Sequence, residues 1–109
     1  MSNKLVKIYS KKIYGVANQV LIVEGKTEEL NYDFIIYADD EVIPFEIDKE
    51  DSNFTLTINL EKRQKHIVIS FIYDKKEKVI CKINNYMISR LFNKNNTFNN
   101  SDIWFKKLV

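Results

Sequence analysis

One cysteine, one histidine, one tryptophan, one proline and two glycines are all that 109 residues contain of these types, and each scarcity removes a class of chemistry. Cys81 alone allows no intrachain disulfide, and the spacing rules for zinc and thiol-redox sites have nothing to act on, so a reducing compartment fits best. Gly15 and Gly25 build no glycine-rich loop, which excludes phosphate cradling of the Rossmann or P-loop kind. His66 is the only imidazole, and any nucleophile needing a histidine base would depend on it. It stands at the start of a strongly apolar segment, a poor place for a proton shuttle. The chain also lacks a charge bias: 17 basic and 15 acidic residues give a formal +2, mixed as on an ordinary solvated surface, so no nucleic-acid partner is expected. Nowhere do about 18 apolar residues run together, and the N-terminal MSNKLVKIYSKK has no apolar core of signal-peptide length, so neither a transmembrane segment nor export is expected.

What is present is strand material. Hydrophobic residues make up 45% of the chain, with seven Phe, six Tyr and one Trp, enough to fill one core without metal or disulfide. Lys, Ile and Asn number 15, 15 and 12, which points to an A+T-rich bacterial or phage genome. The segment FTLTINL (54–60) alternates strictly, Phe54, Leu56, Ile58 and Leu60 pointing one way and Thr55, Thr57 and Asn59 the other. Similar runs lie at Leu5 to Tyr14, at VLIVEG (20–25), closed by Gly25 as a turn residue, at YDFIIYA (32–38) and at VIPFEI (42–47). Pro44 carries no N–H, which places that last strand at an edge or at a bulge. HIVISFIY (66–73) is almost continuously apolar, as in a central strand covered on both faces or on one face and part of the other. VICKI (79–83) then alternates Val79, Cys81 and Ile83 against Ile80 and Lys82.

Strands at about 8–12-residue spacing with polar turns predict an all-β antiparallel sandwich. Residues 1–92 form the sandwich in this reading, and 93–109 a polar linker with an aromatic tail. YMISRLF (86–92) is either a last strand or a short helix, and KNNTFNNS (94–101) a polar loop.

The acidic residues Asp39, Asp40 and Glu41, and the oxygen-rich Asp48, Glu50, Asp51 and Asn53, read as turn chemistry rather than cation sites. The second group lacks the glycine and distant bidentate glutamate of a helix-loop-helix calcium loop. NFT (53–55) matches a glycosylation acceptor, a coincidence in a chain read as unexported. Tyr14, Tyr37, Tyr73 and Tyr86 lie near lysines and could stack on bases or sugar rings, but packing within and across strands is the ordinary use of such residues. No catalytic residue, metal ligand or cofactor is assigned.

Read in order, IYGVANQVLIVEG, YDFIIYADDEVIPFEID and FTLTINLEKRQKHIVISFIYDKKEKVICKI resemble the immunoglobulin-like β-sandwich accessory domains of bacterial teichoic-acid and capsular-polysaccharide glycosyltransferases and glycerophosphotransferases. Tyr32 to Asp48 and Phe54 to Lys62 are the nearest matches, over roughly residues 12–92, with Asn53 where that family often has glycine. The resemblance implies about seven strands in an immunoglobulin-like sandwich, with a short C-terminal extension. It also implies a noncatalytic module that positions a transferase or its glycan acceptor, the partner being a transferase domain or a glycan polymer. The location it implies is cytoplasmic, at the inner membrane face through that partner. The alternative, compatible with a phage origin, is a complete small interaction or inhibitor protein that engages a protein partner through strand edges or through Ile103, Trp104, Phe105 and Leu108.

Overall fold

A computed structural model describes residues 8–16, 20–60, 66–93 and 97–99. In these, β1 (Ile8–Val16), β2 (Val20–Thr27), β3 (Tyr32–Ala38), β4 (Glu41–Ile43), β5 (Glu46–Glu50), β6 (Asn53–Asn59), β7 (Ile67–Tyr73), β8 (Lys76–Ile83), α1 (Asn85–Asn93) and β9 (Thr97–Asn99) follow one another. The strands form two antiparallel sheets, one in the order β5-β6-β2-β1-β9 and the other β4-β3-β7-β8. The chain crosses from sheet to sheet after β2, β4 and β6, and every other step between strands β1 to β8 is a hairpin. This is the immunoglobulin-like arrangement. Seven strands, β1, β2, β3, β5, β6, β7 and β8, make the basic set; β4 and β9 each extend an edge, which brings the number to nine among the described residues.

The opening alternation is observed as read: Phe54, Leu56, Ile58 and Leu60 are buried while Thr55 and Thr57 are half-exposed and Asn59 exposed. Leu21 and Val23 from β2, Phe34 and Ile36 from β3, and Ile67, Ile69 and Phe71 from β7 complete the interior. At one end the core is aromatic. Phe34 sits 5.0 Å from Phe54 and 5.6 Å from Phe71, centroid to centroid, and Tyr32 stacks on Phe71 at 5.5 Å. Separations of 4.5–7 Å in tilted or offset poses are favourable for ring quadrupoles.

Four expectations change in the structure. VIPFEI is two strands rather than one: β4 ends at Ile43, Pro44 and Phe45 carry the chain across, and β5 begins at Glu46 in the other sheet. Ile43, Phe45 and Ile47 all pack against the core, so the period of two runs unbroken through the crossing. Proline supplies the break, since it cannot donate to a ladder.

Gly25 lies within β2, opposite Phe54 and Ser10, and has no positive φ. A Cβ there would stand 2.3 Å from Phe54 Cζ and 2.7 Å from the Tyr9 carbonyl oxygen. The glycine leaves room for an aromatic ring lying across its backbone, next to a β1 irregularity between Ser10 and Lys12.

VICKI does not alternate as read. Ile69 pairs with Cys81 but Ser70 with Val79, so Ile80 is an extra residue on β8, a bulge that resets the side-chain period. Ile80, Cys81 and Ile83 are all buried and Val79 is 43% exposed.

Within the Asn-rich segment read as a loop, Thr97–Asn99 pairs with Lys12–Tyr14 of β1. A free sheet edge can recruit a short polar stretch through its backbone alone. YMISRLF is helical: the Met87 N–H donates to Asn84 Oδ1 at 3.0 Å and the Ile88 N–H to the Asn84 carbonyl at 3.0 Å, so Asn84 is the N-cap. Ile88 is buried.

Three of the described hairpin turns are two-residue loops led by aspartate. Asp39 and Asp40 (φ 49° and 70°), and Asp74 and Lys75 (φ 54° and 62°), each place both loop residues in the left-handed region, as type I′ turns require. Asp51 alone does so (φ 55°) between β5 and β6.

Candidate interaction face

The two outer faces of the sandwich differ in chemistry. On the five-stranded sheet, the side chains alternating with the core are Tyr9, Lys12, Tyr14 and Val16 of β1, Val20, Ile22, Glu24 and Lys26 of β2 and Thr55 and Thr57 of β6. Lys12 Nζ lies 3.9 Å from Glu24 Oε2 and 5.0 Å above the Tyr14 ring. Burial first, then the hydrogen bond and charge of Glu24, push the Tyr14 hydroxyl above its ordinary value of 10.0. This is a solvated surface, and exposed ion pairs of this kind contribute about 0.2–1 kcal/mol at most.

The four-stranded sheet carries its apolar residues through the middle of its face. Phe34, Ile36 and Ala38 of β3 point inward, which turns Asp33, Ile35 and Tyr37 outward. Ile67, Ile69 and Phe71 of β7 point inward, turning Val68, Ser70 and Ile72 outward. The register stacks these into three rows across the sheet: Asp33, Ile72 and Glu77; Ile35, Ser70 and Val79; Val42, Tyr37, Val68 and Lys82. The middle of the face is thus apolar, with carboxylates at one end and an ammonium at the other. Val42 is 68% exposed, and Ile35, Tyr37, Val68 and Ile72 are half-exposed. Single exposed apolar residues are normal, but a contiguous set on one sheet face is a candidate interaction surface.

Tyr37 organises the face. Its hydroxyl donates to Glu77 Oε2 at 2.8 Å, from the third row of β3 to the first row of β8. Ser70 occupies the middle row of β7 between them, so the bridge runs over it. Ser70 is accordingly fully buried on an outward-facing position, and its Oγ has no hydrogen-bond partner. The Glu77 hydrogen bond is also the main cause of the upward shift of the Tyr37 hydroxyl from 10.0.

Three of the four sheet edges are guarded, and the fourth, β9, has only three residues. β4 has three residues and ends at Pro44, β5 carries Glu46, Asp48, Lys49 and Glu50, and β8 carries Lys76, Lys78 and Lys82 plus its bulge. Short, charged and bulged edges disfavour strand addition. Where β4 stops, the freed edge of β3 is covered by side chains: Lys49 Nζ donates to the Tyr32 carbonyl at 2.8 Å and lies 4.0 Å over its ring, and the Phe34 N–H donates to Asp33 Oδ1 at 2.8 Å.

The remaining sequence candidates do not assemble. His66 is exposed just before β7, and its carbonyl accepts from the Asp39 N–H at 2.9 Å. Burial pushes the Cys81 thiol up to about 12, the reverse of what a nucleophile requires. Asp39 and Asp40 are turn residues, and Asp48 and Glu50 are strand residues. Among the described residues no group of three His, Cys, Asp or Glu could hold a metal ion, and no helix is long and apolar enough to cross a membrane. Tyr14 is on the polar face, Tyr73 stacks on Phe71 at 6.4 Å inside, and Tyr86 is 68% exposed on α1. They share no platform. Ile103, Trp104, Phe105 and Leu108 lie outside the described residues.

Sequence reasoning missed the outer-face set, although its signal was present. IVISFIY and DFIIY carry apolar residues at both parities, which in a two-layer sandwich leaves one set facing out. No known protein family, curated protein or solved structure matches the chain.

Proposed function

We propose that this chain is a noncatalytic β-sandwich interaction module that works by docking the outer face of its four-stranded sheet onto a protein surface. The observation behind the reading is the arrangement of the two faces: Ile35, Tyr37, Val42, Val68, Ile72 and Val79 adjoin one another across the rows of one, while on the other the row of Lys12, Glu24 and Thr55 separates Tyr9 from Tyr14, Val16, Val20 and Ile22.

The segment-by-segment resemblance to accessory domains of polysaccharide transferases supplies the partner class. In this proposal the module holds a cell-surface polysaccharide transferase in position from the cytoplasmic side of the membrane, through protein contact rather than through the glycan. Tyr9 and Tyr86, the most exposed aromatics among the described residues at 49% and 68%, stand on a strand of one sheet and on the helix, an arrangement that favours the protein partner over a sugar platform. The guarded edges count against a partner strand adding to either sheet.

The test is a binding assay of the purified chain against a polysaccharide transferase domain and, in parallel, against teichoic-acid polymer. Val42→Glu and Val79→Glu place charge on exposed positions of the face with little effect on folding. Transferase binding that both substitutions abolish supports the reading. Binding of polymer alone, unaffected by either substitution, refutes it.

A further inference from the structure

The row structure of the apolar face carries a more specific conclusion about what covers it, one that rests on the reading of this face as the working surface. We infer that in the free module the occupant is a second copy of this chain, packed face to face about a twofold axis that runs across the strands in the plane of the interface.

The argument is one of complementarity. A symmetric dimer applies the same patch twice, so each residue meets whatever the twofold axis places opposite. An axis across the strands through the middle row exchanges the first row with the third while keeping each strand over its own copy. Val68 then meets Ile72 of the second copy, and Ile35 and Val79 each meet themselves. Glu77, on β8 in the first row, meets the second copy's Lys82, on β8 in the third, and the reciprocal pair forms on the other side. The two charged ends of β8 are thereby matched twice over.

The other symmetric choice, an axis along β7, leaves each row facing itself. It sets Glu77 against the second copy's Asp33, because both stand in the first row on either side of Ile72. Carboxylates opposed in pairs on either side of β7 penalise that alignment, whereas the axis across the strands sets Asp33 against the neutral Tyr37 of the second copy. The charge pattern therefore selects one of two geometries, as a self-complementary surface does. Strands that remain nearly aligned across the contact also suit the packing of twisted sheets.

The contact is small. Three strands of seven or eight residues and the three residues of β4 cover roughly 380 Å2 per copy, which with side-chain relief gives on the order of 900 Å2 buried in total, below the standard size and in the range of weak, transient association. The dimer is accordingly weak and reversible, and it competes with a transferase for the same face.

The experiment is sedimentation velocity on the full chain from about 10 μM to about 1 mM at low salt. The proteins are wild type, Glu77→Lys, Lys82→Glu and the double exchange, with melting curves confirming that each is folded. Tyr37→Phe controls for loss of the Tyr37–Glu77 hydrogen bond without a charge change. Concentration-dependent dimerisation is expected, weakened at least about tenfold in each single variant, where two like-charge contacts replace two pairs worth about 0.2–1 kcal/mol each, and restored to within about threefold in the double exchange. A wild type monomeric at about 1 mM overturns the inference, as does a dimer indifferent to both single variants. Monomeric wild type whose binding to a transferase domain is still abolished by Val79→Glu overturns the dimer alone and leaves the docking face standing.

Discussion

The Tyr37 hydroxyl and the Glu77 carboxylate meet at 2.8 Å across the breadth of β7, with Ser70 beneath them. A long aromatic side chain is thereby held flat against its own sheet instead of standing into solvent. The face presents a ring surface and leaves no deep groove, which suits a flat protein partner better than a small ligand.

Titration of tyrosine follows from this bridge. Hydrogen bonding to Glu77 raises the Tyr37 pKa above 10.0 in the folded protein, and burial raises that of Tyr32. For an acid whose folded value is raised, the folded state binds more protons, so the stabilisation is complete below the unfolded value near 10 and is lost as pH rises through the folded one. Ultraviolet titration of tyrosinate is expected to show a late component that Tyr37→Phe reduces, and the contribution of these two groups to stability is expected to persist up to about pH 10 and to be lost above it. A Tyr37→Phe titration curve identical in shape to wild type would contradict the assignment.

Ser70→Ala removes a buried hydroxyl with no partner. Leaving such a group unsatisfied costs about 1–3 kcal/mol, so the alanine variant is expected to be as stable as wild type or more stable by about 1 kcal/mol in urea unfolding. A clear loss of stability would mean that the hydroxyl is hydrogen-bonded in solution.

Gly25→Ala acts in the opposite direction. The added methyl group meets Phe54 Cζ and the Tyr9 carbonyl, and overpacking of this kind typically costs 1–3 kcal/mol. Phe54→Leu introduced together with Gly25→Ala is expected to recover part of that loss, because it removes the ring but not the carbonyl contact. A double-mutant cycle with no coupling between the two sites would show that the backbone alone sets the cost.

Lys75→Gly addresses the hairpin between β7 and β8. Lys75 has φ 62°, a conformation costing an L residue roughly 1–2 kcal/mol, and Asp-Gly is a preferred pair for a type I′ loop. A rise in melting temperature of a few degrees is expected, with no change in partner binding. An unchanged or lower melting temperature would indicate that the lysine makes a compensating contact.

The sheets were legible in the sequence because burial on one face writes itself as a period of two, which FTLTINL shows without interruption. The chain's passage from one sheet to the other at Pro44 was not, because Ile43, Phe45 and Ile47 all face the same core and the period carries straight through the change of sheet. The bulge at Ile80 was hidden for a related reason: an extra residue in an apolar run looks like a strand until its partner's register is known. Gly25 was misread because glycine signals both a turn and a close approach, and only the position of the Phe54 ring decides between them. The apolar outer face was visible as an excess of Ile, Val and Tyr in the strands that became β3 and β7. Its meaning depended on knowing that only one side of that sheet is covered by the other layer.

The guard on β3 sets this corner apart from the rest of the molecule. Elsewhere the two layers adhere through side chains that water avoids, and neither salt nor chemical modification of the surface alters that adhesion much. Beside Tyr32 that adhesion, which includes the Tyr32 ring against Phe54 of the other layer, is joined by one ammonium group shared between a carbonyl and the face of a ring. Acylating that single amine would remove the polar link at this margin and leave the apolar contact in place.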